Sequence, residues 1–354
     1  MTVSRRNFLK LSAAACAIPV VSACSGHRTM RRDGVPRSEF NAKSTAEDVT
    51  AGLDLSGKVI LVTGCTSGIG FETMRVLAMR GASVIGTSRS LEKARAAVSR
   101  VDGTTLALQL ELSDFESVVR CAESIRSLHS TLDVLVCNAG FLGGSRKRSL
   151  INGVEKHFVV NHLGHFVLVN RLLDRLSGSH QGRIVVVASG MAYSDAPASG
   201  IQFDDLTLAQ GYRDRRAYAH SKLANVLFSL ELSRRLRGSR VTSNSLHPGM
   251  INTEIDRHMN RFMQFGFRIF AGVFGKTIEE GAATSCFVAT SPLLGTTNGA
   301  YFENCNAVTI SGDHHMQNEA MAAQLWQVSE NLTKDFLVAH DVPEIRSMAQ
   351  RGWR

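Results

Sequence analysis

A tyrosine and a lysine four residues apart, Tyr218 and Lys222 in the string YAHSK, are the strongest candidates for chemistry in this 354-residue chain. On a helix, this spacing places both side chains on one face. A phenol has a reference pKa of about 10, and a neighbouring ammonium lowers that pKa by stabilising the phenolate. The pair therefore predicts a phenol that exchanges a proton with a substrate oxygen. The same spacing also occurs on ordinary amphipathic helices, so its meaning depends on the surrounding elements.

A glycine-rich string, VTGCTSGIG at residues 62–70, joins a short β-branched run to a segment with helical apolar spacing. Gly64, Gly68 and Gly70 allow a tight turn and a close approach of the backbone to a ligand. The following helix offers unpaired N–H groups and the positive end of its dipole to an anion. The loop therefore predicts a pyrophosphate-binding site for a dinucleotide, with a tight turn that holds no ligand as the alternative.

The end of the next apolar run, TSRSLE at residues 87–92, bears on the type of dinucleotide. An acidic side chain at this point would bind the 2′-hydroxyl of the adenosine ribose, as in NAD sites. No acidic residue occurs in this stretch before Glu92, and Arg89 can pair with a 2′-phosphate. NADP(H) is therefore the predicted cofactor and NAD(H) the alternative, in which Arg89 is an ordinary solvated charge.

Short apolar runs and helical segments alternate from Lys58 onward, which positions these motifs at the ends of strands. The alternation predicts an α/β fold of the Rossmann type: a single domain with a doubly wound, mostly parallel sheet and helices on both faces. A long helix is expected near 152–177 and another near 216–237. The predicted strands lie in the strings KVILVTG, SVIGTS, TLALQL, LDVLVCNAG, RIVVVAS and VTSNSLHPG.

The order and spacing of the motifs resemble the short-chain dehydrogenase/reductase family. The Gly-x-x-x-Gly-x-Gly spacing at 64–70, the string CNAG at 137–140 and YAHSK carry the resemblance, which covers about residues 55–335. The family has Asn where this chain has Cys137. Two further features are similar to the retinol dehydrogenase and WW-domain oxidoreductase branch, although no WW domain is present: the string VNHLGHF and a long insertion that contains FDDL.

The resemblance implies an oxidoreductase that interconverts an alcohol and an aldehyde or ketone by hydride transfer. It implies that Ser189 polarises the substrate oxygen, that Tyr218 is the acid/base, and that Lys222 assists Tyr218 and holds the nicotinamide ribose. It also implies that Asn161 holds a water in a proton relay that runs from Lys222. The positions expected to contact the cofactor, besides Tyr218 and Lys222, are Thr63, Gly64, Ser67, Gly68, Ile69, Gly70, Arg89, Glu111, Leu112, Asn138, Ala139, Gly140, Pro248, Gly249 and Thr253.

The segment 254–275 is rich in phenylalanine and methionine, with interleaved arginines. In the family, this region closes over the substrate, so an apolar retinoid, steroid or lipid carbonyl is expected. A packed lid or dimer contact and a basic amphipathic helix on a membrane surface are the alternatives. The resemblance also implies a homo-oligomer.

The composition excludes several other classes of function. The formal charge is +9, but part of the excess lies before Asp33, and no Lys/Arg run is interleaved with aromatic residues in a way that would suit nucleic acid. No nucleic-acid partner is therefore expected. Seven cysteines occur without a C-x-x-C pair, so neither a metal site nor a disulfide framework is expected, and the thiols are typical of folding in a reducing compartment.

The N-terminal residues 1–24 have the pattern of an export signal. The string SRRNFLK resembles a twin-arginine signal, whose machinery exports folded proteins, and VSAC resembles a lipobox that ends at Cys24. A cell-envelope or periplasmic enzyme is therefore expected, with membrane attachment through lipidated Cys24 or the segment 254–275; cytoplasmic and organellar locations are the alternatives. The expected divisions are a signal at 1–24, a flexible linker at 25–54, the catalytic domain at 55–340 and a tail at 341–354.

Two functions of other classes remain as alternatives at this point. A non-catalytic, nucleotide-sensing regulator would keep the fold, but intact Ser189, Tyr218, Lys222 and Asn161 argue against it. An epimerase or dehydratase of the extended branch would carry Gly-x-x-Gly-x-x-Gly and a larger C-terminal domain, and neither is present here.

Overall fold

The structure is a computed structural model that describes residues 27–143, 147–251 and 275–337. The predicted signal, the predicted tail 341–354, Thr253 and all but the last residue of the segment 254–275 lie outside these ranges.

The described strands and helices follow the alternation that the sequence predicts. The strands are β1 Thr29–Arg31, β2 Val59–Val62, β3 Ser83–Ser88, β4 Thr105–Gln109, β5 Val134–Cys137, β6 Leu150–Ile151, β7 Val154–Glu155, β8 Arg183–Val187, β9 Thr242–His247, β10 Tyr301–Glu303 and β11 Asn306–Ile310. The helices are α1 Ala46–Val49, α2 Gly68–Met79, α3 Leu91–Val98, α4 Phe115–Leu128, α5 Lys156–Phe158, α6 Gly164–Ser177, α7 Met191–Ser194, α8 Asp214–Arg235, α9 Ile278–Thr290 and α10 Glu319–Thr333.

Nine of these strands form one sheet in the order β1-β11-β10-β9-β8-β5-β2-β3-β4. The pairs from β10 through β4 are parallel, whereas β11 and β1 are antiparallel additions at one edge. The order reverses between β2 and β5, because the chain builds outward from β2 to β4 and then returns to β5 on the other side. Such a switch point leaves a crevice for a ligand at the carboxyl ends of the strands.

Helices cover both faces of the sheet, as predicted. Along β8 the buried side chains alternate, with Ile184 and Val186 in the core beneath α4, α6, α8 and α10, and Val185 and Val187 in the core beneath α1, α2 and α9. A strand buried on both faces needs a continuous apolar run, and the sequence RIVVV supplies one.

The carboxyl ends of the central strands meet at one edge, where the candidate motifs lie. Val62 of β2 pairs with Val136 of β5, Cys137 pairs with Val186 of β8, and Val187 pairs with Leu246 of β9. The residues that follow each strand therefore begin at the same level of the sheet. The glycine-rich loop after β2, the string CNAG at β5, Ser189 after β8 and the turn after β9 thus meet in one site.

The helix predicted at 152–177 begins later and is interrupted. Residues 150–155 form the hairpin β6–β7, whose turn places Asn152 at φ 49° and Gly153 at φ 78°. An Asn-Gly pair favours such a turn because both residues tolerate positive φ. Between α5 and α6, residues Val159–Leu163 form a π-helical turn, a feature that is common at functional sites.

The prediction of a flexible linker at 25–54 is wrong for the described residues 27–54. Strand β1 pairs with β11, and the buried hydroxyl of Ser38 donates to the carbonyl of Cys305 at 2.7 Å. Helix α1 follows in this segment, and Thr45 caps it in a capping box with Asp48. Polar composition suggested a linker, but backbone pairing at a sheet edge requires few apolar side chains.

The described cysteines are Cys65, Cys121, Cys137, Cys286 and Cys305, and all five are buried and free. Within the described ranges, no three His, Cys, Asp or Glu residues are grouped so that they could hold a metal ion. None of the helices that the structure describes has the length and apolarity needed to cross a membrane.

Replacement of Ser38 tests whether the N-terminal segment belongs to the folded unit. Ser38→Ala leaves the Cys305 carbonyl without its buried donor, so we expect the free energy of unfolding to fall by about 1–2 kcal/mol. Urea unfolding monitored by circular dichroism measures this change. Ser99→Ala, at an exposed position whose hydroxyl bonds only within its own helix end, is the control. Equal unfolding curves for the two variants would contradict the assignment.

Candidate functional site

Tyr218, Lys222 and Ser189 lie together at the carboxyl end of β8. Helix α8 carries Tyr218 and Lys222 on the face that covers the sheet, and Ser189 follows the strand. The Ser189 side chain is close enough to the Tyr218 phenol to affect its pKa. The Lys222 ammonium donates to the Val187 carbonyl at 2.9 Å and lies 5.6 Å from the centroid of the Tyr218 ring. The structure thus brings the predicted trio together.

Burial determines the protonation states of this trio. It raises the pKa of Tyr218 to about 12, although the Ser189 side chain acts in the opposite direction. Desolvation of the phenolate is the largest effect on this pKa, and the expectation that Lys222 lowers it remains a prediction. Burial also lowers the pKa of Lys222 to about 8. At neutral pH, Tyr218 keeps its proton and can donate it to a carbonyl oxygen.

Asn161 lies in the π-helical turn, and its side chain is fully engaged within the protein. Its Oδ1 accepts the Phe141 N–H at 2.7 Å, and its Nδ2 donates to the Phe141 carbonyl at 3.0 Å and to the Ser221 hydroxyl at 2.9 Å. The described contacts make this amide a clamp on the backbone after β5. The water relay that the resemblance implies remains a prediction.

The glycine-rich loop has the shape that a pyrophosphate site needs. Gly64 has φ 74°, and a Cβ there would lie 3.0 Å from the Cα of Ala139. A Cβ at Gly70 would collide with the Gly64 carbonyl. Helix α2 begins at Gly68, and its N-cap Ser67 makes no side-chain cap, so Ile69 and its neighbours leave first-turn N–H groups for a ligand. The residues present therefore fit a dinucleotide phosphate.

Thr63 and Asn138 tie the ends of β2 and β5 together. The buried Thr63 hydroxyl accepts the N–H groups of Asn138 at 3.0 Å and Ala139 at 2.9 Å. In return, Asn138 Nδ2 donates to the Thr63 carbonyl at 2.8 Å. The next residue, Gly140, would place a Cβ 3.4 Å from Lys222 Nζ, so this backbone runs directly past the catalytic candidates.

Three more candidate positions lie after β3 and β4. Arg89 follows β3 and is exposed, and Glu92 lies in the first turn of α3 rather than at the strand end. Glu111 follows β4 and accepts the N–H and hydroxyl of Ser113 at 3.0 and 2.7 Å. Leu112 is buried, and its backbone lies against Gly164 of α6.

The turn after β9 contains the last of the residues that were predicted to contact the cofactor. Gly249 has φ 102°, and its N–H donates to Nδ1 of His247 at 3.4 Å; Pro248 between them is buried. Thr253, predicted to follow this turn at the cofactor, lies outside the described residues.

Two buried histidines from VNHLGHF have structural partners. His165 bridges the Asn161 carbonyl at 3.1 Å and the Thr63 hydroxyl at 3.0 Å, and burial lowers its pKa to about 4. His162 binds the Ser329 hydroxyl at 2.8 Å, and burial lowers its pKa to about 3. The link that His165 makes between two site residues carries no sequence signal.

Sequence reasoning missed a polar cluster next to Tyr218. Glu155 and His157 form a buried pair, and the His157 ring lies edge-on to the Tyr218 ring with centroids 6.4 Å apart. They border a cavity of about 520 Å³ that Phe141, Tyr212 and Asp214 also line. Only the Asn-Gly hairpin before Glu155 signals that this segment is not simply the start of a long helix.

Comparison with known proteins agrees with this geometry. The sequence model of the family described as short chain dehydrogenase matches residues 58–200. A WW domain-containing oxidoreductase from Gallus gallus is 39% identical over 311 residues, which cover 85% of this chain and 74% of that protein. Retinol dehydrogenase 11 from Homo sapiens is 39% identical over 288 residues, which cover 80% of this chain and 88% of that protein.

A solved structure shows the same fold. The crystal structure of an uncharacterized protein from Mycobacterium paratuberculosis superposes with a TM-score of 0.64 at 31% identity, covering 81% of this chain and 97% of that one. The chain belongs to the short-chain dehydrogenase family of NAD(P)-binding oxidoreductases, in the branch of the retinol dehydrogenases and WW domain-containing oxidoreductases.

Proposed function

We propose that the protein is an NADP(H)-preferring short-chain reductase that interconverts an aldehyde or ketone and its alcohol. The observation that carries this proposal is the position of Tyr218 beside Lys222 and Ser189, at the strand edge that also holds the glycine-rich loop. A proton donor and a dinucleotide cradle at one edge provide the two groups that carbonyl reduction needs. A sensor that lost turnover has no need for this arrangement.

The nicotinamide of the bound cofactor supplies or accepts the hydride, and this chain's residues do the remaining work. Ser189 donates a hydrogen bond to the substrate oxygen and polarises it. Tyr218 gives its proton to that oxygen during reduction and takes it back during oxidation. The Lys222 ammonium stabilises negative charge on the phenolate and lies where it can bind a ribose hydroxyl. Because the pKa of Tyr218 is raised, reduction is favoured at neutral pH and oxidation gains rate as the pH rises.

The proposed substrate is an apolar carbonyl or alcohol, such as a retinoid, steroid or lipid aldehyde. The apolar composition of 254–275 supports this substrate class, as does the name of the relative retinol dehydrogenase 11. We also propose that the protein is a homo-oligomer.

Removal of the Tyr218 hydroxyl tests the mechanism. For Tyr218→Phe, we expect kcat to fall by about 10²–10⁴-fold because the proton donor is lost, whereas NADPH binding is kept. Steady-state reduction of a panel of apolar aldehydes and fluorescence titration with NADPH measure the two effects.

Tyr193→Phe is the control, because the Tyr193 hydroxyl donates to Glu303 and has no lysine four residues later. A Tyr218→Phe enzyme that retains full kcat would contradict the role of this phenol. Wild-type protein that binds NADPH but reduces no carbonyl would favour the regulator instead.

The cofactor preference is testable at Arg89. Arg89→Ala removes the guanidinium that we assign to the 2′-phosphate, so KM for NADPH should rise about 10–100-fold while KM for NADH changes little. Arg95→Ala, an exposed arginine on α3, is the matched control. If Arg89→Ala raised KM equally for NADPH and NADH, the argument for NADP(H) would fail.

We further propose that the enzyme loads its cofactor in the cytoplasm and is then exported folded to the cell envelope. The five described cysteines are free and buried, which suits folding in a reducing compartment before transport. Export of an unfolded chain would deliver it to a compartment with little free nicotinamide nucleotide. The string SRRNFLK and Cys24 supply the proposed signal and a lipid anchor.

Replacement of the arginine pair tests this location. Arg5→Lys together with Arg6→Lys should retain the protein in the cytoplasm, as measured by fractionation of native cells and immunoblotting. Arg31→Lys with Arg32→Lys, the adjacent arginine pair outside the signal, is the control and should be exported normally. Wild-type protein found wholly in the cytoplasm with residues 1–24 intact would contradict the proposal.

A further inference from the structure

A histidine that the proposed mechanism does not use lies in contact with the catalytic tyrosine. His157 and Glu155 have side chains that are each 1% exposed. Nδ1 of His157 lies 2.8 Å from Glu155 Oε1, and Nε2 accepts the N–H of Gly143 at 3.0 Å. Asp214 Oδ1 lies 3.7 Å from the same Nε2.

These contacts specify the form of the imidazole. A carboxylate oxygen only accepts, so Nδ1 of His157 must carry the proton that Glu155 receives. The Gly143 N–H only donates, so Nε2 must be unprotonated. The contacts therefore require the neutral imidazole with its proton on Nδ1. Glu155 is held in place because its other oxygen accepts the N–H groups of His157 and Phe158 at the start of α5.

His157 and Asn161 hold the same stretch of backbone. Asn161 clamps both backbone groups of Phe141, and His157 binds the amide of Gly143 two residues later. The Phe141 ring also packs on the His157 ring, with centroids 4.8 Å apart. Residues 140–143 pass from Lys222 to the wall of the 520 Å³ cavity, so these contacts set the shape of that wall.

We propose that His157 is a positioning residue for substrate binding and that only its neutral form holds residues 140–143 in place. This inference rests on the proposed reductase function. A proton on Nε2 would oppose the Gly143 N–H, donor against donor, and would turn toward the Asp214 carboxylate instead. Gly143 lies directly against Asp214, since a Cβ there would be 2.5 Å from Oδ1, so the loop and the His157 ring both border this carboxylate.

Several charged and titratable groups surround this cluster. Tyr212 donates its hydroxyl to Asp214 at 3.1 Å, which keeps that carboxylate near the ring. Lys156 places its ammonium 4.6 Å from the Phe141 ring centroid. On α8, burial lowers the pKa of His220 to about 4 and raises that of Tyr218 to about 12, so neither changes charge near neutral pH.

Kinetics as a function of pH test the proposal with the full-length holoenzyme. KM for an uncharged aldehyde and kcat are measured with saturating NADPH from about pH 5 to pH 8. We expect KM of the wild type to rise about tenfold toward acid pH while kcat changes little, because the cavity wall is altered and the proton donor is not. His157→Gln, which can donate and accept without titrating, should show a flat KM.

Two further variants complete the design. Asp214→Asn removes the carboxylate toward which a protonated ring would turn, so the rise in KM at acid pH should be smaller than in the wild type. His180→Gln, at an exposed histidine, should match the wild type. The proposal would be overturned if KM of the wild type did not change with pH. It would also be overturned if KM of His157→Gln rose at acid pH as much as that of the wild type.

A structural readout keeps this test separate from the proposed function. Hydrogen–deuterium exchange of a peptide that spans residues 139–143, corrected for the intrinsic pH dependence, should accelerate at acid pH in the wild type and not in His157→Gln. Faster exchange in a protein that reduces no aldehyde would support the switch in loop position and contradict the proposed function. Unchanged exchange in an active enzyme would contradict the role of His157 alone.

Discussion

The whole site depends on one buried hydroxyl, that of Thr63 at the end of β2. This buried hydroxyl accepts the N–H groups of Asn138 and Ala139 where β5 ends. A buried N–H without a partner is costly, so the turn after β5 is tied to the turn after β2. That tie brings Gly140 beside Lys222 and sets the glycine-rich loop against the same backbone. Through His165, the hydroxyl also reaches Asn161, so one network links the cofactor cradle to the catalytic candidates.

Burial then determines which protonation states the site uses. Tyr218 retains its proton and Lys222 gives up its own more easily than a solvated lysine, because both charged forms are desolvated. The carbonyl of Val187 offsets part of that cost for the ammonium. In the same low-polarity surroundings, a hydrogen bond from Ser189 to a phenolate at Tyr218 would be more effective than in water. The Glu155–His157 pair lies beside Tyr218 and is likewise shielded from water.

The sequence predicted those parts of the fold that follow from local periodicity. The predicted strand SVIGTS matches β3 from its first residue to its last. Serine is a favoured N-cap residue, and Ser90 caps α3. The hairpin at 150–155 was missed because its strands have only two residues each, although the Asn-Gly turn could have revealed it. The role of residues 27–54 could not be found, since their pairing with β11 joins positions nearly 280 residues apart. The raised pKa of Tyr218 was likewise unpredictable, because it depends on how deeply the assembled helix α8 is covered.

The most direct test of the central claim follows the hydride itself. The purified enzyme is given NADPH deuterated at C4 of the nicotinamide, in separate samples for the two faces of the ring, with an apolar aldehyde, and the alcohol product is analysed by mass spectrometry. The account predicts one deuterium on the carbonyl carbon from one face only, because a single fixed cradle would hold the nicotinamide in one orientation beside Ser189 and Tyr218. An alcohol without deuterium from either sample, or protein that binds NADPH and leaves the aldehyde unchanged, would contradict it.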